Sequence, residues 1–539
     1  MLTTTTRPTR GWRRSALGFV AAAALLAGMA GPVDARTFRW ANDLDANSLD
    51  PHSRNVTFQL TFLENVYEGL VRRGPDLKLE PSLATSWRLT APDTWRFELR
   101  RNVRFHGGEP FTADDVIFSY QRTITPPSNL NGVFAAVREA RKVDDFTVEF
   151  VTNGPSPTLP DEMATWMVMS KTWSERNNAT VVANMTQQQE NFASRNTNGT
   201  GPFMIRERVI DNRTVFVPNP NWWDKVEHNL TEVVFSRIQN DATRTAALRS
   251  GEVDMVYSIP PQDVAAFERN PQFKVWQTPE TRTMYLGLDQ IRDELLGSSL
   301  KGRNPFKDIR VRQAFHHAID IEAIKTRVMR GYSNPTGLLV GPGIAGFDPS
   351  INTRLPFNVD RARELMREAG YAEGFDVTLN CSNDRYVNDE AICTAIAAML
   401  ARINVKVNVV TEPFSRFFRL VNPPSYETSF FLLGWSPASI DAHNALVNLA
   451  YTRGAVPNKG VFNVQGHSNP AMDRLTDAIA IETDAAKRLQ MMKEALSMAR
   501  DQHAVLPLHQ QVILWASRST VDLKQLSNNY FPLRLVRMN

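Results

Sequence analysis

Cysteine is almost missing from this chain: 539 residues include two, Cys381 and Cys393. That excludes a multi-disulfide scaffold and a thiolate-rich metal cage. An excess of one charge is lacking too. Residues 1–35 hold Arg7, Arg10, Arg13 and Arg14 against Asp34, so they carry +3 of the formal net charge of +4, and +1 is left for the rest. No basic face remains to argue for nucleic acid. The strings His-Glu-x-x-His and Gly-x-Ser-x-Gly are absent, no Cys–His arrangement has local support, and no carboxylate pair stands out, which argues against an enzyme. Histidines His52, His443 and His509 have no spacing that would fix a metal. Apolar runs are short. Ala16 to Ala30 follows the four arginines, is rich in alanine and glycine, and ends at Gly31-Pro32 before Val33-Asp34-Ala35. This reads as an export signal cut after Ala35 rather than an uncleaved anchor, and no cysteine nearby could accept a lipid. Arg13-Arg14 hints at the twin-arginine route, but the apolar residues expected just after it are missing.

What is present is ordinary globular material, 42% hydrophobic and 22% charged, in a chain too long for one core. The informative stretch runs from Asn65 to Arg122. It begins Asn65-Val66-Tyr67-Glu68-Gly69-Leu70-Val71 and continues through Leu79-Glu80-Pro81-Ser82-Leu83-Ala84 to Trp87. Trp95, Phe97 and Leu99 alternate as in a half-buried strand. Val103 to Val116 then passes a Gly107-Gly108 turn, and Thr112 caps a helix with Asp114 and Asp115 in its first turn. As a string, these motifs resemble the family 5 extracytoplasmic solute-binding proteins that serve peptide, nickel and opine ABC importers.

That resemblance implies an α/β, periplasmic-binding-protein-like fold: two large lobes joined by a two-strand hinge, plus a smaller extra lobe. Residues 36–79 with 200–284 and 510–539 would form lobe I, 80–199 the accessory lobe and 285–509 lobe II. Thr283 to Leu288 and Leu506 to His509 are the expected crossovers. The implied function is a monomeric binding protein, free in the periplasm and without a cofactor, that captures a small organic solute by closure and hands it to membrane permease subunits. General di- or oligopeptide binding is the alternative, and nickel or metal-chelate binding a minor one. A receptor feeding a sensor is a further possibility.

Other stretches read locally. Thr37 to Asn42, Val215 to Val217 and Val233 to Ile238 are strands, and Asp241 to Leu248 is a helix. Asn198-Gly199-Thr200-Gly201-Pro202 is a turn whose glycines allow positive φ; no Lys-Ser/Thr pair follows to make it a phosphate cradle. Asn221-Trp222-Trp223 packs locally. Lys142 to Phe150 is a turn followed by an alternating strand. Gly341-Pro342-Gly343-Ile344-Ala345-Gly346 matches the dinucleotide string literally, yet Pro349 argues for a loop. Strands at Val377 to Asn380 and Val405 to Val410 flank a helix from Glu390 to Ile403, a βαβ unit.

The candidate ligand-binding residues are Asn55, Tyr285, Arg385, Tyr386, Asn388, Trp435, Asp441 and Asn444. Asn55 lies on a segment that follows the cleft in the family, or simply caps the next helix. Tyr285 sits on the first crossover. In peptide-binding members an aspartate near Ala438 takes the α-amino group, and an arginine that would fall near Glu390 or Ala391 takes the carboxylate. Neither is present here, so the resemblance points to a carboxylate-bearing solute, opine-like or a modified peptide. Arg385 suits the anion, Trp435 would stack on an apolar or planar part of the ligand or belong to the core, and Asp441 with Asn444 would accept donors. In an oxidising compartment Cys381 and Cys393 are expected to pair, holding Arg385, Tyr386 and Asn388 in a short loop, with two separate thiols as the alternative.

Overall fold

A computed structural model describes residues 36–187, 189–422 and 425–539. The expected export signal lies outside them. No helix among the described residues is long and apolar enough to cross a membrane.

One sheet organises the molecule. Its 11 strands run in the order Val405–Glu412, Phe375–Ser382, Phe430–Trp435, Phe273–Leu288, Leu506–Arg518, Met255–Val256, Thr37–Asn42, Glu232–Arg237, Arg213–Pro218 and Phe203–Val209, with Ser333–Pro335 added beside Leu506–Arg518. The two central strands belong to both large lobes. Phe273 to Pro279 pairs antiparallel with Val512 to Arg518, and Thr283 to Leu286 with Leu506 to Gln510; the ladder breaks between Pro279 and Thr283. Both strands are therefore longer than the crossovers expected from sequence. Apolar residues on one side of the break pack around Phe306, Phe315 and Phe430, and those on the other around Trp40, Phe62 and Trp515. The parallel pairing of Phe375–Ser382 with Val405–Glu412 around the helix Asp389–Leu400 is the expected βαβ unit.

The accessory lobe is a four-stranded antiparallel sheet, in the order Ala84–Ala91, Thr94–Leu99, Thr147–Thr152 and Val137–Asp144. The helix Ala113–Ile124 begins where Thr112 donates its backbone N–H to the Asp115 carboxylate at 2.9 Å. That helix lays Val116 and Tyr120 against Phe134, Phe150 and Trp166. Thr147–Thr152 alternates in sequence but is buried throughout, because it is an inner strand with the helix over one face.

The Asn65–Val71 string works as a tether. The buried Glu68 carboxylate accepts from Thr200 Oγ1 at 2.8 Å, Trp223 Nε1 at 2.7 Å and Trp222 Nε1 at 3.2 Å. The tryptophans expected to pack locally thus reach back more than 150 residues. Gly199 and Gly201 are needed for another reason than positive φ: a Cβ at either would collide with the Val66 carbonyl. The Gly341–Gly346 string is a loop, as expected. Gly343 and Gly346 adopt φ of 91° and 98°, and no helix opens there.

Candidate functional site

The site is built where the broken ladder meets the loop Ser382–Asp389. Asp389 shapes that loop: its carboxylate accepts from Ser382 Oγ at 2.7 Å and from the backbone N–H groups of Tyr386 at 3.2 Å and Arg385 at 3.3 Å. Asn388 enters the helix in the left-handed region, φ 56°, and its side chain donates to the Val328 carbonyl at 2.9 Å. Asparagine tolerates that conformation better than most residues. Cys381 and Cys393 are bonded, with Cα atoms 6.8 Å apart, which ties the strand before the loop to the helix after it. In the chain-entropy model a crosslink spanning so few residues adds about 2–3 kcal/mol of stability. Reductant is therefore expected to lower the unfolding free energy read from a urea titration by that amount. Non-reducing peptide mapping that recovered both cysteines as free thiols would contradict this.

Into this corner the hinge strand projects Glu280 and Arg282, two residues apart and so on one face. Arg282 Nε and Nη2 donate to Glu280 Oε1 at 3.1 and 3.0 Å. Glu280 Oε2 accepts from Gln511 Nε2 at 2.8 Å, and Gln511 Oε1 accepts from the Val387 N–H at 3.2 Å. All three side chains are buried. The Arg282 guanidinium lies 5.6 Å from the centre of the buried Tyr386 ring, and Arg385's lies 5.5 Å from the same ring and 5.3 Å from Phe414. Gly434 makes room, since a Cβ there would press on Arg282, Met284 and Tyr386.

Electrostatically the two arginines differ. Arg282 has its carboxylate. Arg385, half-buried, makes no side-chain hydrogen bond or ion pair with any described residue. Burial first, and the neighbouring Arg282 charge second, push the Arg385 pKa down. An unpaired guanidinium under such pressure calls for an anion.

The other predicted residues fall into a second group. Tyr285 and Trp435 pack with Leu433 and Phe431 on the sheet face opposite Met284, as strand alternation requires. Trp435 Nε1 donates to Asn444 Oδ1 at 3.0 Å, and its ring lies 5.1 Å from Phe462. Asp441 is committed elsewhere: both carboxylate oxygens accept from Arg488, at 2.5 and 2.9 Å, and Oδ1 also accepts from the His443 N–H at 2.9 Å. Asn55 is exposed; Val56, not Asn55, occupies the cap position of the helix Thr57–Leu63. Among the described residues no cluster of three or more His, Cys, Asp or Glu could hold a metal. Glu280, Arg282 and Gln511 are missing from the sequence reading. The available signal was Glu280-Thr281-Arg282, a charged pair at strand spacing just before an apolar crossover.

Comparison with known proteins places this architecture. The model of the bacterial extracellular solute-binding proteins, family 5, matches residues 78–456. The glutathione-binding protein GsiB of Pectobacterium atrosepticum is 28% identical over 462 residues, 83% of each chain. Heme-binding protein A of Haemophilus influenzae is 26% identical, covering 83% of this chain and 82% of that one. Among solved structures, DppA from Helicobacter pylori in complex with the peptide STSA superposes with a TM-score of 0.78 at 22% identity, over 93% of this chain and 98% of its own. AgaA of A. tumefaciens R10, in complex with agropinic acid, gives 0.77 at 21% identity, over 93% and 99%. With a match across most of its length and the two-lobed periplasmic-binding-protein fold, the chain belongs to the bacterial extracellular solute-binding proteins of family 5.

Proposed function

We propose that this protein is the periplasmic binding component of an ABC importer and that its solute is a small organic molecule carrying a carboxylate. The observation that carries the ligand reading is the Arg385 guanidinium, which has no hydrogen-bond or ion-pair partner among the described residues while its neighbour Arg282 is neutralised by Glu280. A carboxylate would take Arg385 by a forked hydrogen-bond pair. Closure of the lobes about the break between Pro279 and Thr283 would exclude water and strengthen that contact. The relatives support a carboxylate without choosing one. Proteins named for glutathione and heme binding, and structures solved with a peptide and with agropinic acid, have ligands that share this group. The same list keeps short peptides as the competing solute, now against a cleft with alanine at position 438.

Calorimetry on di- and tripeptides, opines, glutathione and small carboxylates tests the proposal. A carboxylate ligand should emerge, and Arg385→Ala should weaken it at least tenfold, because an anion buried without its partner costs roughly 2–5 kcal/mol. The melting temperature of the unliganded variant should move little, since the Arg385 side chain makes no hydrogen bond or ion pair with any described residue and only leans on the Tyr386 and Phe414 rings. Submicromolar binding of several unrelated dipeptides, unaffected by Arg385→Ala, would overturn it.

A further inference from the structure

Arg385 has a counterpart of opposite charge on the other large lobe. Strand Thr37–Asn42 runs parallel to Met255–Val256, which lies antiparallel to Leu506–Arg518, with Met255 facing Ser517 and Val256 facing Ala516. Both parallel strands therefore end pointing back along Leu506–Arg518 toward the break in the ladder. Chain that leaves a sheet at the carboxyl ends of parallel strands forms the rim of a crevice. Asp43 follows one strand and Tyr257 the other, and the Tyr257 N–H donates to the Ala41 carbonyl at 2.9 Å, so the two leave at the same level. The segment from Ser527 to Asn529 joins this rim to the hinge. Tyr257 Oη donates to the Asn529 carbonyl, and the Thr281 N–H, between Glu280 and Arg282, donates to the Ser527 carbonyl at 2.8 Å.

Three acids surround the buried Tyr257: Glu280, Glu64 and Asp43. Two are not available as anions for a solute. Glu280 is taken by Arg282 and Gln511. Glu64, at the end of the helix Thr57–Leu63, accepts from Thr61 Oγ1 at 3.3 Å, and burial pushes its carboxyl up to about 8, so at pH 7 it is mostly protonated. Asp43 is different. Its half-buried carboxylate makes no hydrogen bond or ion pair with another side chain among the described residues. Arg237 takes only its backbone carbonyl, at 3.0 Å, and Arg244 is bonded to Asp241 and the Ile238 carbonyl instead. Burial pushes the Asp43 carboxyl up, and the Arg244 charge offsets this only in part. The Asp43 charge is also felt at Arg385, on the opposite lobe, yet the two form no ion pair.

We infer that Asp43 is the cation-binding residue of the cleft and that the solute is a zwitterion, with its ammonium on Asp43 from one lobe and its carboxylate on Arg385 from the other. Two unpaired charges of opposite sign, within each other's field but not in contact, are complementary to a molecule carrying both opposite charges. A purely anionic solute would press its far end on an unpaired carboxylate, so Asp43 also works against dicarboxylates. The charge missing at Ala438 is thereby supplied from the opposite lobe. This assignment rests on the carboxylate reading of Arg385 and adds the ammonium to it.

Calorimetry and thermal shift with matched probes test it: glutathione beside its N-acetyl derivative, ε-aminocaproate beside caproate, and adipate as the doubly anionic member. At least one pair should bind, with the ammonium-bearing member tighter by roughly tenfold or more. Asp43→Asn, nearly isosteric, should erase that preference while leaving the unliganded melting temperature and the binding of the partner without the ammonium unchanged. Asp43→Lys should turn the preference toward adipate, and Glu64→Gln should change none of this. Equal affinity for both members of a pair would overturn the assignment while leaving a carboxylate on Arg385 standing. So would a preference that survives Asp43→Asn or disappears in Glu64→Gln. No response to any of these carboxylates, or responses indifferent to Arg385→Ala, would take down both readings.

Discussion

Arg122→Ala is expected to destabilise the protein by about 3–5 kcal/mol, the usual result of stranding a buried charge. Arg122, on the accessory-lobe helix, and Asp50, in the turn that follows the first strand, are almost wholly buried. Arg122 Nη1 and Nη2 donate to Asp50 Oδ1 and Oδ2 at 2.8 and 2.5 Å, and Nε donates to the Ala179 carbonyl at 3.0 Å. Nη1 also lies 3.0 Å from His52 Nδ1, while His52 Nε2 lies 2.8 Å from the Met167 carbonyl. Burial, with the Arg122 charge next, drives the His52 pKa down to about 4, so His52 is neutral, accepting at Nδ1 and donating at Nε2. Burial pushes Asp50 up, but the charge and hydrogen bonds of Arg122 outweigh it and hold the carboxyl below its ordinary 3.8. The sign follows from that depression. The pair's contribution is complete above pH 3.8 and fades only as pH falls through the lowered value. Urea denaturation of variant and parent should therefore show the full gap at pH 7 and a narrower one near pH 3, where a protonated Asp50 needs no partner. A gap that did not change with pH would mean that lost packing, not the stranded carboxylate, sets the cost.

Arg488→Ala should cost a similar amount, roughly 3–5 kcal/mol, by leaving the Asp441 carboxylate buried and alone. Arg488 also donates from Nε to the Ile479 carbonyl at 3.0 Å, so it joins two helices to the loop after Phe430–Trp435. A double-mutant cycle isolates the pair. Asp441→Ala combined with Arg488→Ala should cost clearly less than the two single changes added together, with a coupling of about 1–3 kcal/mol. Additive costs would show Asp441 to be free in solution and so open to the ligand role its sequence position suggests.

The pairs Asp50–Arg122 and Asp441–Arg488 mark the limit of what could be read in advance. Turns, caps and helix faces are local, so Thr112 as a cap, the helix after it and the βαβ unit around Asp389–Leu400 were legible from spacing alone. Asp441 looked available because its partner is 47 residues away, on a helix with nothing in its sequence to announce the meeting. Glycine 199 shows the same limit from the other side. Its type suggested a turn, whereas its reason is the backbone of Val66, brought close only by the fold. Arg385 and Tyr386 could be placed in one loop, but the carboxylate that makes Arg282 a spectator and leaves Arg385 unmatched became visible only with the register of the central strands.

The break in that register has a consequence for the order of events in capture. Glu280 and Arg282 lie in the gap between Pro279 and Thr283, close to the axis about which the lobes would turn, and Gln511 beside them holds the Val387 N–H, so the loop carrying Arg385 is fastened at the same place. Points near an axis hardly travel. A solute entering an open cleft would find the Glu280–Arg282–Gln511 corner and the Arg385 loop bonded to it already in their final arrangement, a fixed anvil. Discrimination would then come at docking, with shape, hydrogen bonding and charge read together. A solute lacking the anion would be turned away before the swing begins.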